Sequence, residues 1–423
     1  METFDEHYLN HLSAVSKNNK VILAENIYNQ RGSLAQKIAK HKLLKPLEQS
    51  IVLSSNLNQR TSFDFFKQHL ESMQVSDIVR QSGLLSDAQD IFHLLNRYPL
   101  ITQKLTVLAE RLPDVFGRCL STSVLAFALC KELKKPTTTI ENVFLANLLS
   151  DIGLLHIDPN VVNKKGQYNE QEWKMMQGHV VIAKHFADMV PNLPSIVSRA
   201  LLEHHERLDG FGYPFGKQGS QLCEEGKIIA IVDQASALYR KLVKNGPYSW
   251  TSVLAVMQVP SSAYDPNIHR AFMRLFKRFP LEYKPAFSED EFKQLIQVCI
   301  LKRERLNLWF KEFAKIYKNH KDIMADSSDF KPLSLLHQLE QTVIASGVLS
   351  KAQHDWLTHL QTNLRKPDFI EIEEFSLVLD EVEYQCFFVM RKLVTEKEDL
   401  IKRFNGPDLP ELYLEGLMRI LNG

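Results

Sequence analysis

From about Phe63 onward the apolar residues of this chain recur every three or four positions, the spacing of one helix face and not the alternation of a strand. Phe65, Phe66, His69, Leu70 and Met73 begin the pattern, and Ile78, Leu84, Ile91 and Leu94 continue it. The middle third then predicts amphipathic helices over 116–133, 140–149, 171–189, 193–205 and 226–242. Pro136 stops the first, since proline lacks an N–H and clashes with the preceding turn, and Thr137, Thr138 and Thr139 offer an N-cap region for the next. Further on, Ser288-Glu-Asp-Glu291 has the form of a capping box opening a long helix. Its apolar positions are Phe292, Leu295, Ile296, Cys299, Leu306, Trp309, Phe313 and Ile316, with Lys302-Arg-Glu-Arg305 read as a solvated face. The first sixty residues differ: the β-branched run 21–28 and the turn signal 29–33 suggest short β elements. The expected class is mainly α, with a small β-containing N-terminal region.

At 423 residues the chain exceeds one ordinary core. Breaks at Pro280 and Pro285 and the period change suggest three parts, 1–95, 96–276 and a helical 277–423. With 51 Lys+Arg against 50 Asp+Glu the net charge is +1, which argues against DNA or an anionic membrane as partner. Five cysteines without a CxxC make neither a disulfide framework nor a thiolate zinc site. Apolar runs such as 123–130 fall short of the roughly 18 residues of a membrane span, and the acidic N-terminus has no signal-peptide core. A cytoplasmic protein is the expectation.

Five of the 15 histidines, His156, His179, His185, His204 and His205, lie within residues 156–205. His204 and His205 close a helix and precede Asp209-Gly-Phe-Gly-Tyr-Pro214, a segment too rich in glycine to stay helical. Neutral imidazoles suit Fe, Mn, Zn or Ni, and a glycine-rich turn lets backbone N–H groups approach a phosphate. Asp151 stands at a helix end before Gly153, and His179 lies on the intervening helix. Asp233 is the lone acid in Ile228-Ile-Ala-Ile-Val-Asp, where burial would demand a hydrogen-bond partner or a metal. Taken singly, each has a plainer reading: His179 as a surface histidine, Asp151 as a helix brace, Asp233 as a bonded core acid, and Asp209 as a turn organiser. His156 and His185 are expected to pack or face solvent. The turn contains neither a Walker A loop nor a G-x-G-x-x-G fingerprint, because Phe211 and Phe215 stand where glycines are needed.

The unbroken run His204-His-Glu-Arg-Leu-Asp-Gly-Phe-Gly-Tyr-Pro214 resembles the HHExxDGxGYP signature of the HD-GYP family. Asp151, His179 and Asp233 stand in that family's order, and the resemblance extends over roughly 97–276. It implies an all-α HD-superfamily domain in bacterial cyclic-di-GMP signalling, whose active members use two or three Fe or Mn ions to hydrolyse that dinucleotide. By the same resemblance the metal ligands are Asp151 (also the remnant of the catalytic dyad), His179, His204, His205 and Asp233. Asp209, Gly210, Gly212, Tyr213 and Pro214 are the nucleotide-contacting candidates.

The chain also departs from the pattern. The dyad histidine is replaced by Ser150, a first-helix histidine by Arg118, a following lysine by Leu154, and an arginine before Pro-Tyr by Gly246. Both lost imidazoles belong, by resemblance, to one of two metals, and a guanidinium there adds positive charge where a cation would sit. The expectation is one Fe or Mn ion with the second absent, and a regulator that binds a cyclic dinucleotide or a protein partner with little or no hydrolysis. The alternatives are a phosphodiesterase of reduced activity and a structural scaffold. A protein partner would meet the 209–214 turn or the C-terminal helices.

Overall fold

The computed structural model describes residues 93–245, 248, 250–277, 285–319, 331–395 and 408–422. Among these residues there are helices and turns and no strand; Asp209 and Gln218 form an isolated antiparallel bridge. The mainly α class is what the structure has. The β-like run 21–28, the helical pattern over 63–91 and position 246 lie outside the described residues.

In chain order the longer helices are α1 (Pro99–Arg111), α2 (Pro113–Glu132), α3 (Thr137–Leu149), α4 (Glu170–Gln177), α5 (His179–Asp188), α6 (Ser195–Glu203) and α7 (Glu224–Asn245). They are followed by α8 (Trp250–Met257), α9 (Pro266–Lys277), α10 (Glu289–Asn319), α11 (Lys331–Ser346), α12 (Lys351–Asn363), α13 (Asp368–Thr395) and α14 (Asp408–Asn422). Two compact units result. One takes the chain up to Gln234 with Asn267–Phe279, and the other takes Ala235–Pro266 with Pro280–Gly423.

In the first unit, Pro99 and Pro113 open α1 and α2 at positions where no N–H is required. Phe116, Leu120 and Phe127 of α2 are buried together with Phe144 and Leu148 of α3, and the two helices pack against each other. Each such side chain contributes about 1.5–3 kcal/mol by leaving water. Read as a whole helix, α2 corrects the expectation of short apolar runs: its 20 residues are long and apolar enough to cross a membrane, and 78% of its apolar window is buried inside the protein.

The predicted helix over 171–189 is two helices, α4 and α5, meeting at Gly178. A capping box starts α4: Asn169 accepts from the Glu172 N–H at 2.9 Å, and Glu172 accepts from the Asn169 N–H at 2.7 Å. The break gives His179 a helix start of its own.

In the second unit, Glu291 accepts from both the N–H and the Oγ–H of Ser288 at 2.7 Å, which forms the glutamate half of the expected box at the start of α10. Phe292 stacks on Phe369 of α13 with centroids 4.0 Å apart, and Trp309 and Phe313 are buried farther along. The run 302–305 is not a solvated face. Arg303 is buried and donates to the carbonyls of Leu349 and Ser350, while Lys302 and Arg305 pair with Asp380 and Glu383 on α13. Lys302 and Arg305 are thus neutralised by carboxylates of α13, and Arg303 is held by backbone carbonyls just before α12.

Candidate functional site

Gly153 explains how the site is assembled. A Cβ there would stand 2.1 Å from the His179 carbonyl oxygen, so only glycine lets the turn after α3 touch the start of α5. Asp151, two residues earlier, is thereby carried to His179: Oδ1 lies 3.8 Å from His179 Nε2. His204 and His205 follow directly on α6, their rings 4.0 Å apart, and lie 5.5 and 5.1 Å from the His179 ring. One nitrogen from each of the three falls within 4.8 Å of the others.

The imidazoles are oriented by the backbone. His179 Nδ1 bonds the Met176 carbonyl at 2.5 Å and His204 Nδ1 bonds the Leu201 carbonyl at 2.7 Å. A carbonyl only accepts, so both rings carry their proton on Nδ1 and leave Nε2 with a lone pair. His179 Nε2 is buried and has no hydrogen-bond partner. It faces a carboxylate oxygen across 3.8 Å with no proton for either to share, an arrangement that suits a cation. Burial holds His179 down at about 4 against the pull of Asp151, and burial with the neighbouring His204 holds His205 well below its ordinary value. Neutral, backbone-fixed imidazoles are the form in which histidine ligates. Among the expected ligands, therefore, the structure brings His179, His204, His205 and Asp151 together. Asp233 stands at the edge, its Oδ2 3.6 Å from His205 Nδ1 and its side chain partly exposed instead of buried.

The other oxygen of Asp151 is taken. Arg118 donates to Oδ2 through Nη2 at 2.5 Å and Nε at 3.0 Å. Burial would raise the Asp151 carboxyl, but Arg118, with His179 and His204, outweighs it and leaves it at about 2. Ser150 turns away and donates to the Asn147 carbonyl at 2.8 Å. Cys119 is near, but burial pushes its thiol up to about 12, so it stays protonated and is a poor ligand.

The glycine turn is built around carboxylates that sequence reasoning passed over. Buried Glu206 accepts from the N–H groups of Phe215 at 2.7 Å and Lys217 at 3.0 Å. Buried Glu203 accepts from Lys217 Nζ at 2.6 Å and the Cys223 N–H at 2.7 Å. Glu206 lies inside the signature and Glu203 immediately before it, and that position was the available signal. Asp209 is engaged within the turn: it binds Arg207 Nη2 at 2.6 Å and accepts from the Phe211 N–H at 3.1 Å. Gly210 has φ +79°, and a Cβ on Gly212 would come within 2.4 Å of the Glu206 and Arg207 backbone. The chain can then double back so that the Tyr213 N–H reaches the His205 carbonyl at 3.1 Å and its ring lies 4.7 Å from the His205 ring. Pro214 follows in a cis peptide. Of the remaining clustered histidines, His156 is buried with Nε2 3.3 Å from Lys104 Nζ, and His185 is exposed.

A helical domain with backbone-oriented imidazoles, a facing aspartate and a glycine-tyrosine-proline turn defines the class of the site. Residues 102–268 match the HD domain family. Three relatives agree. The cyclic di-GMP phosphodiesterase PA4108 of Pseudomonas aeruginosa is 27% identical over 37% of this chain and 38% of its own length. The 3'3'-cGAMP-specific phosphodiesterase 1 of Vibrio cholerae is 35% identical over 31% of this chain and 30% of its own. A cyclic di-GMP phosphodiesterase of Thermotoga maritima is 24% identical over 59% and 61%. In each case the match spans less than two thirds of the relative. Through this segment the chain is similar to the HD domain family and to these phosphodiesterases.

Proposed function

We propose that this chain is a bacterial cyclic-dinucleotide signalling protein whose HD-GYP site holds one Fe or Mn ion, binds cyclic-di-GMP or a related cyclic dinucleotide, and turns it over little or not at all. The supporting relatives act, by name, on cyclic di-GMP or 3'3'-cGAMP. The observation that carries the reading is the Arg118–Asp151 pair. Two-metal hydrolysis needs ions about 3.5–4 Å apart bridged by shared ligands. Here one oxygen of Asp151, the carboxylate that faces His179, already neutralises a fixed cation.

The residues fit a single ion: His179, His204 and His205 would hold it, with Asp151 Oδ1 beside them. A bound ion of this kind polarises phosphate oxygens and lowers the pKa of a bound water. Arg118 keeps Asp151 ionised, and the Met176 and Leu201 carbonyls keep His179 and His204 turned inward. The Glu206 carboxylate fixes the turn that presents Tyr213. A protein partner could meet the same turn through Phe215, which is 64% exposed.

The test is calorimetry and product analysis on the full chain with Mn²⁺ and cyclic-di-GMP. Saturable binding with turnover far below 1 s⁻¹ supports the reading, and turnover of order 1 s⁻¹, ordinary for an enzyme, overturns it. A slow phosphodiesterase is the second reading, favoured by the complete imidazole cluster; its activity would vanish in His204→Ala. Neither metal nor nucleotide binding would leave the scaffold reading.

A further inference from the structure

We propose that Tyr213, Trp173 and Tyr168 form a stacking platform that takes a nucleobase of the phosphodiester ligand, a deepening that rests on the cyclic-dinucleotide reading above. The three rings make a continuous path away from the imidazoles. Tyr213 lies 4.7 Å from the His205 ring, Trp173 stands edge-on to Tyr213 at 5.7 Å, and Tyr168 stacks with Trp173 at 6.3 Å. The path leads outward: Tyr213 and Tyr168 are half-buried, and Trp173 is 44% exposed.

Nothing inside the fold accounts for that exposure. The helix α4 has no fully buried residue, is held at its start by the Asn169–Glu172 capping box, and keeps an indole half in water. A single exposed aromatic side chain is ordinary, but Trp173 adjoins Tyr213 and Tyr168, and a contiguous aromatic patch of this kind marks a contact surface. The occupant is argued from what adjoins the platform. Where it begins, the imidazoles are suited to a cation, and an ion held there would supply the positive charge that draws a phosphodiester. A ligand with its phosphate there and a flat heterocycle attached can lay the heterocycle on the rings. A nucleobase meets that description, and stacking needs no hydrogen-bond code, because every base has a π face.

The residues are set by local chemistry. Gly212 lets the turn fold back and place Tyr213 against His205. The start of α4 puts Trp173 beside it, and Lys164 pairing with Glu172 at 2.5 Å tethers the loop that carries Tyr168.

The experiment is calorimetric titration of the full chain with cyclic-di-GMP and, separately, with inorganic pyrophosphate, a phosphate probe without a base. Both are run on the wild type, Trp173→Ala and Trp173→Phe, with Mn²⁺ present. Losing one stacked base is expected to weaken dinucleotide binding about 5- to 140-fold in Trp173→Ala, while pyrophosphate affinity and bound metal stay unchanged and Trp173→Phe recovers most of the loss. Saturable quenching of indole fluorescence by the dinucleotide should also disappear in Trp173→Phe. If the wild type binds the dinucleotide and Trp173→Ala binds it equally well, the platform is wrong and the nucleotide reading stands. If the wild type does not bind the dinucleotide, both fall together.

Discussion

Arg118 Nη2 donates to Asp151 Oδ2 at 2.5 Å, while Oδ1 of the same carboxylate lies 3.8 Å from the unpartnered Nε2 of His179. One side chain thus faces a permanent organic cation and a cluster of imidazole nitrogens at once. The guanidinium is always charged, so one oxygen of Asp151 is committed whatever the metal supply. The other oxygen faces His179.

Removing the guanidinium should expose this arrangement. In Arg118→Met the buried Asp151 loses its counter-charge, and we expect about 3 kcal/mol lower stability without metal, the lower end for a broken buried pair because Arg118 is 25% exposed. Added Mn²⁺ should restore much of the loss by neutralising the same carboxylate. Urea midpoints with and without Mn²⁺ measure both effects; identical midpoints for variant and wild type would dismiss the pair as idle.

Restoring the two missing imidazoles should restore a second site. Ser150 and Arg118 both border Asp151, and Ser150 spends its hydroxyl on its own helix. In Ser150→His with Arg118→His, metal content is expected to rise by one ion per chain. No gain would show that these are not the positions of the lost ligands.

Gly153→Ala should misplace His179 without touching a ligand. The added methyl meets backbone, which cannot rotate away, so we expect a destabilisation of about 1–3 kcal/mol and at least tenfold weaker metal binding. Thermal melts and metal titration test it, and native metal affinity in this variant would contradict the role given to Gly153.

Lys104 supplies a pH dependence outside the metal site. Burial lowers its amine from 10.5 to about 7. Between those values the unfolded chain holds a proton that the folded chain does not, so stability should rise with pH from about 7 to 10.5, by on the order of a few kcal/mol. Below 7 this contribution is flat. Lys104→Met should remove the alkaline rise, seen as denaturation midpoints that no longer climb relative to wild type.

The helical class and the His204–His205 turn were legible because both are local. Period, proline stops and the Ser288 box act within one turn or two, and His204-His205 with its glycine turn is contiguous. What sequence could not show depends on distant partners. Arg303 looked solvated because the carbonyls that receive it, Leu349 and Ser350, lie 46 and 47 residues away. Gly178 hid a helix break because its own dihedrals are near helical, φ −63° and ψ −23°, and the apolar pattern runs through it. Arg118 reads as a departure from the resembled pattern. Its grip on one oxygen of Asp151, 33 residues on, is a tertiary fact, as is the approach of Trp173 to Tyr213.

The most direct measurement is elemental analysis of the purified full chain after loading with Mn²⁺ or Fe²⁺ and removal of excess. One ion per chain in the wild type, and none in His204→Ala, is the expected result. Two ions per chain with Arg118 in place would contradict the central claim that its guanidinium occupies the second cation's position.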